Sequence, residues 1–220
     1  MQDKIVSPHL ICLSEHHLKT YKITKFSINN YKIAATFCRE GVSKGGICIV
    51  ARQNIQFTTI DLLKFCRERI FEICAIEVNS KSKKIIVGCI YRSPSGDVAQ
   101  FLKSLEDTLS YLYKFSITII LCGDLNINYI LETPDKKRLG NIMKSLNLSQ
   151  IVDFPTRITN NTAALIDCIF LDTMLVKKVI SYPHINGLSD HDAQIVILDS
   201  FMIMCHKDIS KKRAHSIIKR

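Results

Sequence analysis

The 220-residue chain carries 30 Lys and Arg against 20 Asp and Glu, a formal net charge of +10, with 47% hydrophobic residues. That length and apolar content suit one sizeable domain, and no run of about eighteen consecutive apolar residues points to a membrane span. The basic balance favours a polyanion partner, nucleic acid being the usual one, over a small ligand.

The N-terminus, from Met1 to Pro8, has no apolar signal core. The nine cysteines are an odd number, sit mostly inside apolar runs and form no Cys-x-x-Cys pair. This pattern fits reduced thiols in an intracellular protein better than a disulfide frame or a zinc site.

His9 to Ser14 reads as a short buried strand that delivers the carboxylate of Glu15 at its exit. His16 and His17 follow as loop residues, because neighbours on an extended chain face opposite ways and make a poor metal pair. Tyr31 to Thr36 and Ile47 to Val50 are strand-like, the latter entered through Gly45-Gly46. Ile70 to Val78 and Ile85 to Tyr91 flank a polar, basic turn and predict a hairpin, closed by Tyr91-Arg92-Ser93-Pro94. From Asp97 to Phe115 the apolar residues fall at helical spacing, with Asp97 as cap.

Ile117 to Cys122 is a β-branched run that ends in Gly123-Asp124-Leu125-Asn126. Residues two apart share a strand face, so Asp124 and Asn126 would project the same way from its mouth. The same four residues also suit an ordinary turn. Thr133-Pro134 predicts a second helix with Leu139, Ile142, Met143 and Leu146 as its buried stripe. Gln150 to Phe154 reads as a strand, Pro155 to Thr162 as a polar loop, and Ala164 to Leu171 as a strand with Asp167 in its middle. Val176 to Tyr182 and Ala193 to Leu198 are further strands, around a loop that carries Ser189-Asp190-His191. About nine strands interleaved with two long helices suggest two packed sheets with helices outside. Residues 1–199 form the expected domain, and 200–220 a basic tail or linker.

Acidic or amide groups thus recur at strand ends: Glu15, Asp124, Asn126 and Asp190, with His191 beside the last. Asp167 lies within an apolar strand, where a lone carboxylate is costly unless paired, and an imidazole is an obvious partner. Oxygen-rich ligands suit Mg²⁺ or Mn²⁺. Together with the basic charge, the set fits metal-assisted attack on a phosphate ester.

In this order, Glu15, Tyr91-Arg92-Ser93-Pro94, Gly123-Asp124-Leu125-Asn126, Thr156-Arg157, Ile166-Asp167-Cys168-Ile169-Phe170 and Leu188-Ser189-Asp190-His191 resemble the endonuclease/exonuclease/phosphatase superfamily. The resemblance spans roughly Leu10 to Leu198. It is strongest to the apurinic-like endonuclease domain of non-LTR retrotransposons of the jockey and LINE type. It implies an α+β fold, a four-layer αββα sandwich. It also implies a Mg²⁺- or Mn²⁺-dependent enzyme that nicks DNA to prime reverse transcription, acts in the nucleus and needs no small-molecule cofactor.

Residue by residue, Glu15 and Asp190 would serve the metal and Tyr91 would hydrogen-bond the scissile phosphate. Asp124 would position or deprotonate water, or protonate the leaving oxygen. Asn126 would hold the phosphate and orient Asp124, His191 would act as base or charge stabiliser, and Asp167 would orient His191. Arg92 and Arg157 would contact the DNA backbone. The family's usual first strand, which ends in a metal-side Asn, has no counterpart before Leu10. The expectation is therefore of a missing first strand and weak or absent nicking. The alternatives are a non-catalytic nucleic-acid-binding remnant and, lower, a small-molecule phosphatase of the same fold.

Overall fold

The computed structural model describes residues 7–80, 84–113, 118–172, 179–185, 187 and 189–198. In chain order the first half comprises β1 (Leu10–Ser14), the one-turn helix α1 (Thr20–Ile23), β2 (Tyr31–Phe37), β3 (Ile47–Arg52), β4 (Phe57–Ile60), β5 (Glu72–Asn79) and β6 (Lys84–Tyr91). The second half comprises α2 (Val98–Tyr113), β7 (Thr118–Asp124), α3 (Pro134–Ser145), β8 (Leu148–Gln150), β9 (Arg157–Ile158), β10 (Ala163–Ala164), β11 (Asp167–Asp172), β12 (Val179–His184) and β13 (Ala193–Leu198).

Six strands form one mixed sheet in the order β4-β5-β6-β7-β11-β8. Strands β5 and β6 are the expected hairpin, and β6 runs parallel to β7, with α2 as the crossover between them. Opposite this sheet lie an antiparallel three-stranded sheet, β1-β3-β2, and the β12–β13 hairpin. Strands β9 and β10 form a small hairpin of their own.

Two apolar layers follow from strand alternation. Ile73, Ile86, Ile90, Ile119 and Leu121 meet Phe101, Leu105, Leu109 and Leu112 of α2 and Leu139 and Met143 of α3. The other face of β5 and β6 (Cys74, Ile76, Val78, Ile85, Val87, Cys89, Tyr91) packs on Ala34, Ala35, Ile47, Ile49 and Ala51 of the small sheet. Each fully buried Leu, Ile or Phe stabilises by roughly 1.5–3 kcal/mol relative to exposure. The helices start where expected: Asp97 accepts the Gln100 N–H at 2.7 Å, and Thr133 accepts the Lys136 N–H at 3.2 Å. The fold is the α+β sandwich that the sequence implied.

Several elements differ from expectation. The strand placed at Gln150 to Phe154 forms earlier, as β8, where Leu148 to Gln150 pair with β11. The run from Ala164 to Leu171 is divided, so Asp167 opens β11 instead of lying within a longer strand. The polar loop after Pro155 supplies β9, which pairs with β10 just beyond Thr162; the two-residue arms are too short to show a period. Strand β4 is additional. The 200–220 tail and the start of the strand placed at Val176 lie outside the described residues. All eight described cysteines are free thiols, four of them buried. Among the described residues no helix is long and apolar enough to cross a membrane.

Candidate active site

Sheet register builds the site. Tyr91, the last residue of β6, pairs in register with Asp124, the last of β7, and Asp124 faces Asp167, the first of β11. Three adjacent strands therefore bring Tyr91, Asp124 and Asp167 to one row at one end of the sheet. A cleft of about 350 Å³ opens there, lined by Glu15, Asp124, Asn126, Arg157, Asp167, Asp190 and His191, with Ser14, His17, Pro94 and Ser189 at its margins. Seven of the nine residues singled out in the sequence thus converge on a single cleft.

Asp124 is 3% exposed. Burial, and next the charge of Asp167, push its carboxyl up to about 7. Asn126 takes a left-handed backbone (φ +50°) that turns it back on this carboxylate. Its backbone N–H donates to Asp124 Oδ1 at 2.8 Å, and its Nδ2 donates to Oδ2 at 3.1 Å and to the Arg92 carbonyl at 2.8 Å. Both amide hydrogens of the Asn126 side chain are therefore engaged within the protein, and the residue orients Asp124.

The Asp167–His191 pair forms as expected: His191 Nδ1 lies 2.9 Å from Asp167 Oδ2. That bond raises the imidazole's pKa, against the lowering effect of burial. Asp167 is in turn braced by Thr156, fully buried, whose hydroxyl accepts the N–H groups of Ile166 at 3.2 Å and Asp167 at 3.0 Å. Ser189 accepts the His191 N–H at 3.0 Å. Neither hydroxyl stood out in the sequence as a site residue, although both sit in the motifs quoted above.

Tyr91 is 1% exposed, lies beneath the cleft and donates its hydroxyl to Glu15. Burial first, then the Glu15 bond, raise its pKa far above the usual tyrosine range. Glu15 sits at φ +55°, its side chain 41% exposed. Asp190 is exposed and accepts from Arg157 Nε at 2.7 Å; that bond lowers its pKa.

Arg92 is the clear departure. It is 4% exposed and does not line the cleft. Its guanidinium donates to the carbonyls of Leu125 (2.8 Å), Ser93 (3.1 Å), Gly96 (2.6 Å) and Asn126 (2.6 Å). It is a clamp that ties the Gly-Asp-x-Asn turn to the Ser93–Gly96 loop, not a rim contact for DNA. Arg157, 45% exposed, does stand at the rim.

Among the described residues, Asp124, Asp167 and His191 form a group of ligand atoms all within 4.8 Å of one another. Glu15 and Asp190, expected on the metal side, line the same cleft but lie outside that group. The donor set is rich in oxygen, and two carboxylates face each other across neighbouring strands, with the Asp124 pKa pushed up by burial and then by the charge of Asp167. Oxygen donors of this kind fit a hard divalent cation.

Comparisons with known proteins bear on the fold. No curated protein matches the chain. Solved structures do, at identities that speak to the fold alone. The endonuclease domain of TRAS1, a telomere-specific non-LTR retrotransposon, superposes with a TM-score of 0.61 at 13% identity, covering 78% of this chain and 81% of that one. An AP endonuclease from Archaeoglobus fulgidus gives 0.61 at 15%, over 87% and 89%. The 3′ phosphatase NExo from Neisseria, bound to a product DNA hairpin, gives 0.62 at 14%, over 87% and 89%. A family model described as endonuclease-reverse transcriptase matches residues 85–195, half of the chain, from β6 to β13. The chain belongs to this endonuclease-reverse transcriptase family and has the fold of the endonuclease/exonuclease/phosphatase nucleases.

Proposed function

We propose that this chain is a divalent-metal-dependent DNA endonuclease of a non-LTR retrotransposon, making the single-strand nick that primes reverse transcription in the nucleus. The observation that carries the reading is the cluster of Asp124, Asp167 and His191, with Asn126 locking Asp124 from behind. The TRAS1 endonuclease domain shares the fold, and the +10 charge suits a polyanionic substrate.

Each residue has a definable task. Asp167 holds Nδ1 of His191, which leaves Nε2 as the nitrogen for a phosphate oxygen. The Asp167 bond raises the pKa of His191, which favours the charged imidazolium that offsets phosphate charge. Asp124, with a pKa near 7, accepts a proton from water in the same pH range. Tyr91 supports Glu15 from below. Glu15, with Asp190 at the rim, would hold Mg²⁺ or Mn²⁺. When bound, the ion supplies neutralisation of charge on the phosphate and the leaving oxygen.

Nicking of supercoiled plasmid with Mg²⁺ or Mn²⁺, comparing wild type with His191→Ala, tests this directly. The expected result is open-circular product from wild type and its loss in the variant by about 10²–10⁴-fold. DNA binding with no nicking under either ion would instead identify a non-catalytic nucleic-acid-binding remnant.

A further inference from the structure

Behind Glu15 and Tyr91 lies a buried ion pair that the proposed chemistry does not use. Glu72 is 0% exposed and Arg39 5%. Arg39 Nε and Nη2 both approach Glu72 Oε1. The same carboxylate accepts the N–H of Gly46 on Oε2 at 2.9 Å and the N–H of Arg69 on Oε1 at 3.2 Å. Glu72 faces Tyr91 in the β5–β6 register, and the Arg39 guanidinium lies 5.5 Å from the centre of the Tyr91 ring.

The pair grips a turn that in turn grips Glu15. Gly45 (φ +74°) and Gly46 (φ +83°) have backbones that disfavour a side chain. A Cβ on Gly45 would collide with the Arg39 guanidinium, and one on Gly46 with the His16 imidazole. Their carbonyls accept the N–H groups of His17 (2.8 Å, to Gly45) and His16 (3.2 Å, to Gly46). Those two residues follow directly on Glu15, whose left-handed backbone sets where its carboxylate points. Arg39 and Glu72 therefore act on both partners of the Tyr91–Glu15 bond: on Glu15 through the glycine turn, and on Tyr91 by lying against its ring. A buried ion pair is weak evidence of stabilisation, since apolar residues of similar volume often do as well or better. Apolar residues here could not receive the Gly46 N–H, nor place a cation on the tyrosine face.

We propose that Arg39 and Glu72 are positioning residues for the cleft, fixing the Gly45–Gly46 turn and through it the aim of the Glu15 carboxylate. The catalytic consequence rests on the nuclease reading of the cleft; the bracing of Glu15 does not.

The test uses the full chain with Glu72→Gln, Arg39→Lys and the double replacement Arg39→Met with Glu72→Met, which keeps volume but removes the charges. Two readouts separate the claims. Amide hydrogen exchange at His16 and His17 should accelerate at least tenfold in all three variants, with β3 amides unchanged. The Mn²⁺ concentration that gives half-maximal nicking should rise about 10–100-fold, the usual cost of losing a supporting contact behind a metal ligand. DNA affinity measured in EDTA should not change.

Accelerated exchange with no nicking from wild type sinks the nuclease reading and leaves the bracing intact. Wild-type nicking, with exchange and Mn²⁺ requirement both unchanged in the double replacement, overturns the proposal. If that double variant fails to fold, Arg39→Lys alone decides, because it keeps the charge and loses the two-nitrogen contact.

Discussion

In the six-stranded sheet, β5, β6, β7 and β11 each have a hydrogen-bonded neighbour on both sides. The opposite layer is in two pieces: β1 pairs with β3 only and β13 with β12 only, among the described residues. The difference shows in the side chains between the layers. Val87 and Cys89 of β6 are buried, while Ile120 and Cys122, their register partners on β7, are only partly so. The small sheet covers β6 and leaves β7 half covered. The cleft takes Asp124, Asn126 and Asp167 from the six-stranded sheet, Glu15, Asp190 and His191 from the other side, and Arg157 from the β9–β10 hairpin. Asp124, Asn126 and Asp167 stand on or directly after strands fixed from both sides, so the sheet itself sets their geometry. Glu15 leaves an edge strand, where one neighbour fixes the backbone, and needs the Gly45–Gly46 turn to hold it. Preorganisation thus comes from register on one side of the cleft and from a loop bracket on the other.

If register presets the buried side, replacing Asp124 should produce the largest functional effect without harming the fold. Asp124→Asn is expected to cut nicking by about 10²–10⁴-fold. It should also stabilise the metal-free protein at high pH. The sign follows from linkage: the folded pKa of about 7 lies above the unfolded value near 3.9, so the folded state holds the extra proton between them. Wild-type stability therefore falls as pH rises from about 4 to about 7, and the uncharged variant escapes that loss. A gain of up to roughly 4 kcal/mol at pH 8 follows, or about 8–16 °C in Tm. It should fall to roughly a third at pH 5, vanish below about pH 4, and shrink when Mn²⁺ is added to wild type. Thermal melts at the two pH values check it, and an equal gap at both would show that Asp124 is not held in an unfavourable charged state.

Arg92 tests the junction between the two sides. Arg92→Ala leaves the carbonyls of Leu125, Asn126 and Gly96 without their donor in a buried place. The expected loss is about 2–4 kcal/mol of unfolding free energy by denaturant titration, with activity lost in step as the Gly-Asp-x-Asn turn loosens. A surface role would predict the reverse, with stability kept and DNA affinity lost.

Arg92 also shows where the sequence runs out. A β-branched run placed β7 and put Asp124 at its end, because that signal is local. The Asp97 and Thr133 caps did the same for α2 and α3. Asn126 lies past the strand and meets Asp124 through a left-handed turn, not through strand alternation. Arg92 precedes Ser93-Pro94 and reads as a rim residue. Its burial depends on carbonyls up to 34 positions away converging on one guanidinium, which no local pattern encodes. Arg39 and Glu72, 33 positions apart, are hidden for the same reason. Strand β4 is different: Phe57-Thr58-Thr59-Ile60 is β-prone, and its signal was present to be read. The Asp167–His191 contact was legible as a chemical need, a buried carboxylate requiring a partner, and from the family resemblance, and the structure supplies that partner from a loop 24 positions on.

The smallest expected effect belongs to the exposed rim. Arg157 and Asp190 are both 45% exposed, so their 2.7 Å pair lies where solvent screens it. Arg157→Ala should change stability by less than about 0.5 kcal/mol. The same exposure leaves the guanidinium free to exchange Asp190 for a DNA phosphate, since both acceptors are anionic oxygens and the salt-bridge partner costs little to give up. Loss of one phosphate contact should weaken binding to all DNA sequences alike and reduce the slope of log K against log salt by about 1. Fluorescence anisotropy across a salt series measures that slope. An unchanged slope would place Arg157 with Asp190 alone, as a brace for the loop that carries His191, and the cleft's basic contacts would have to be sought elsewhere on the surface.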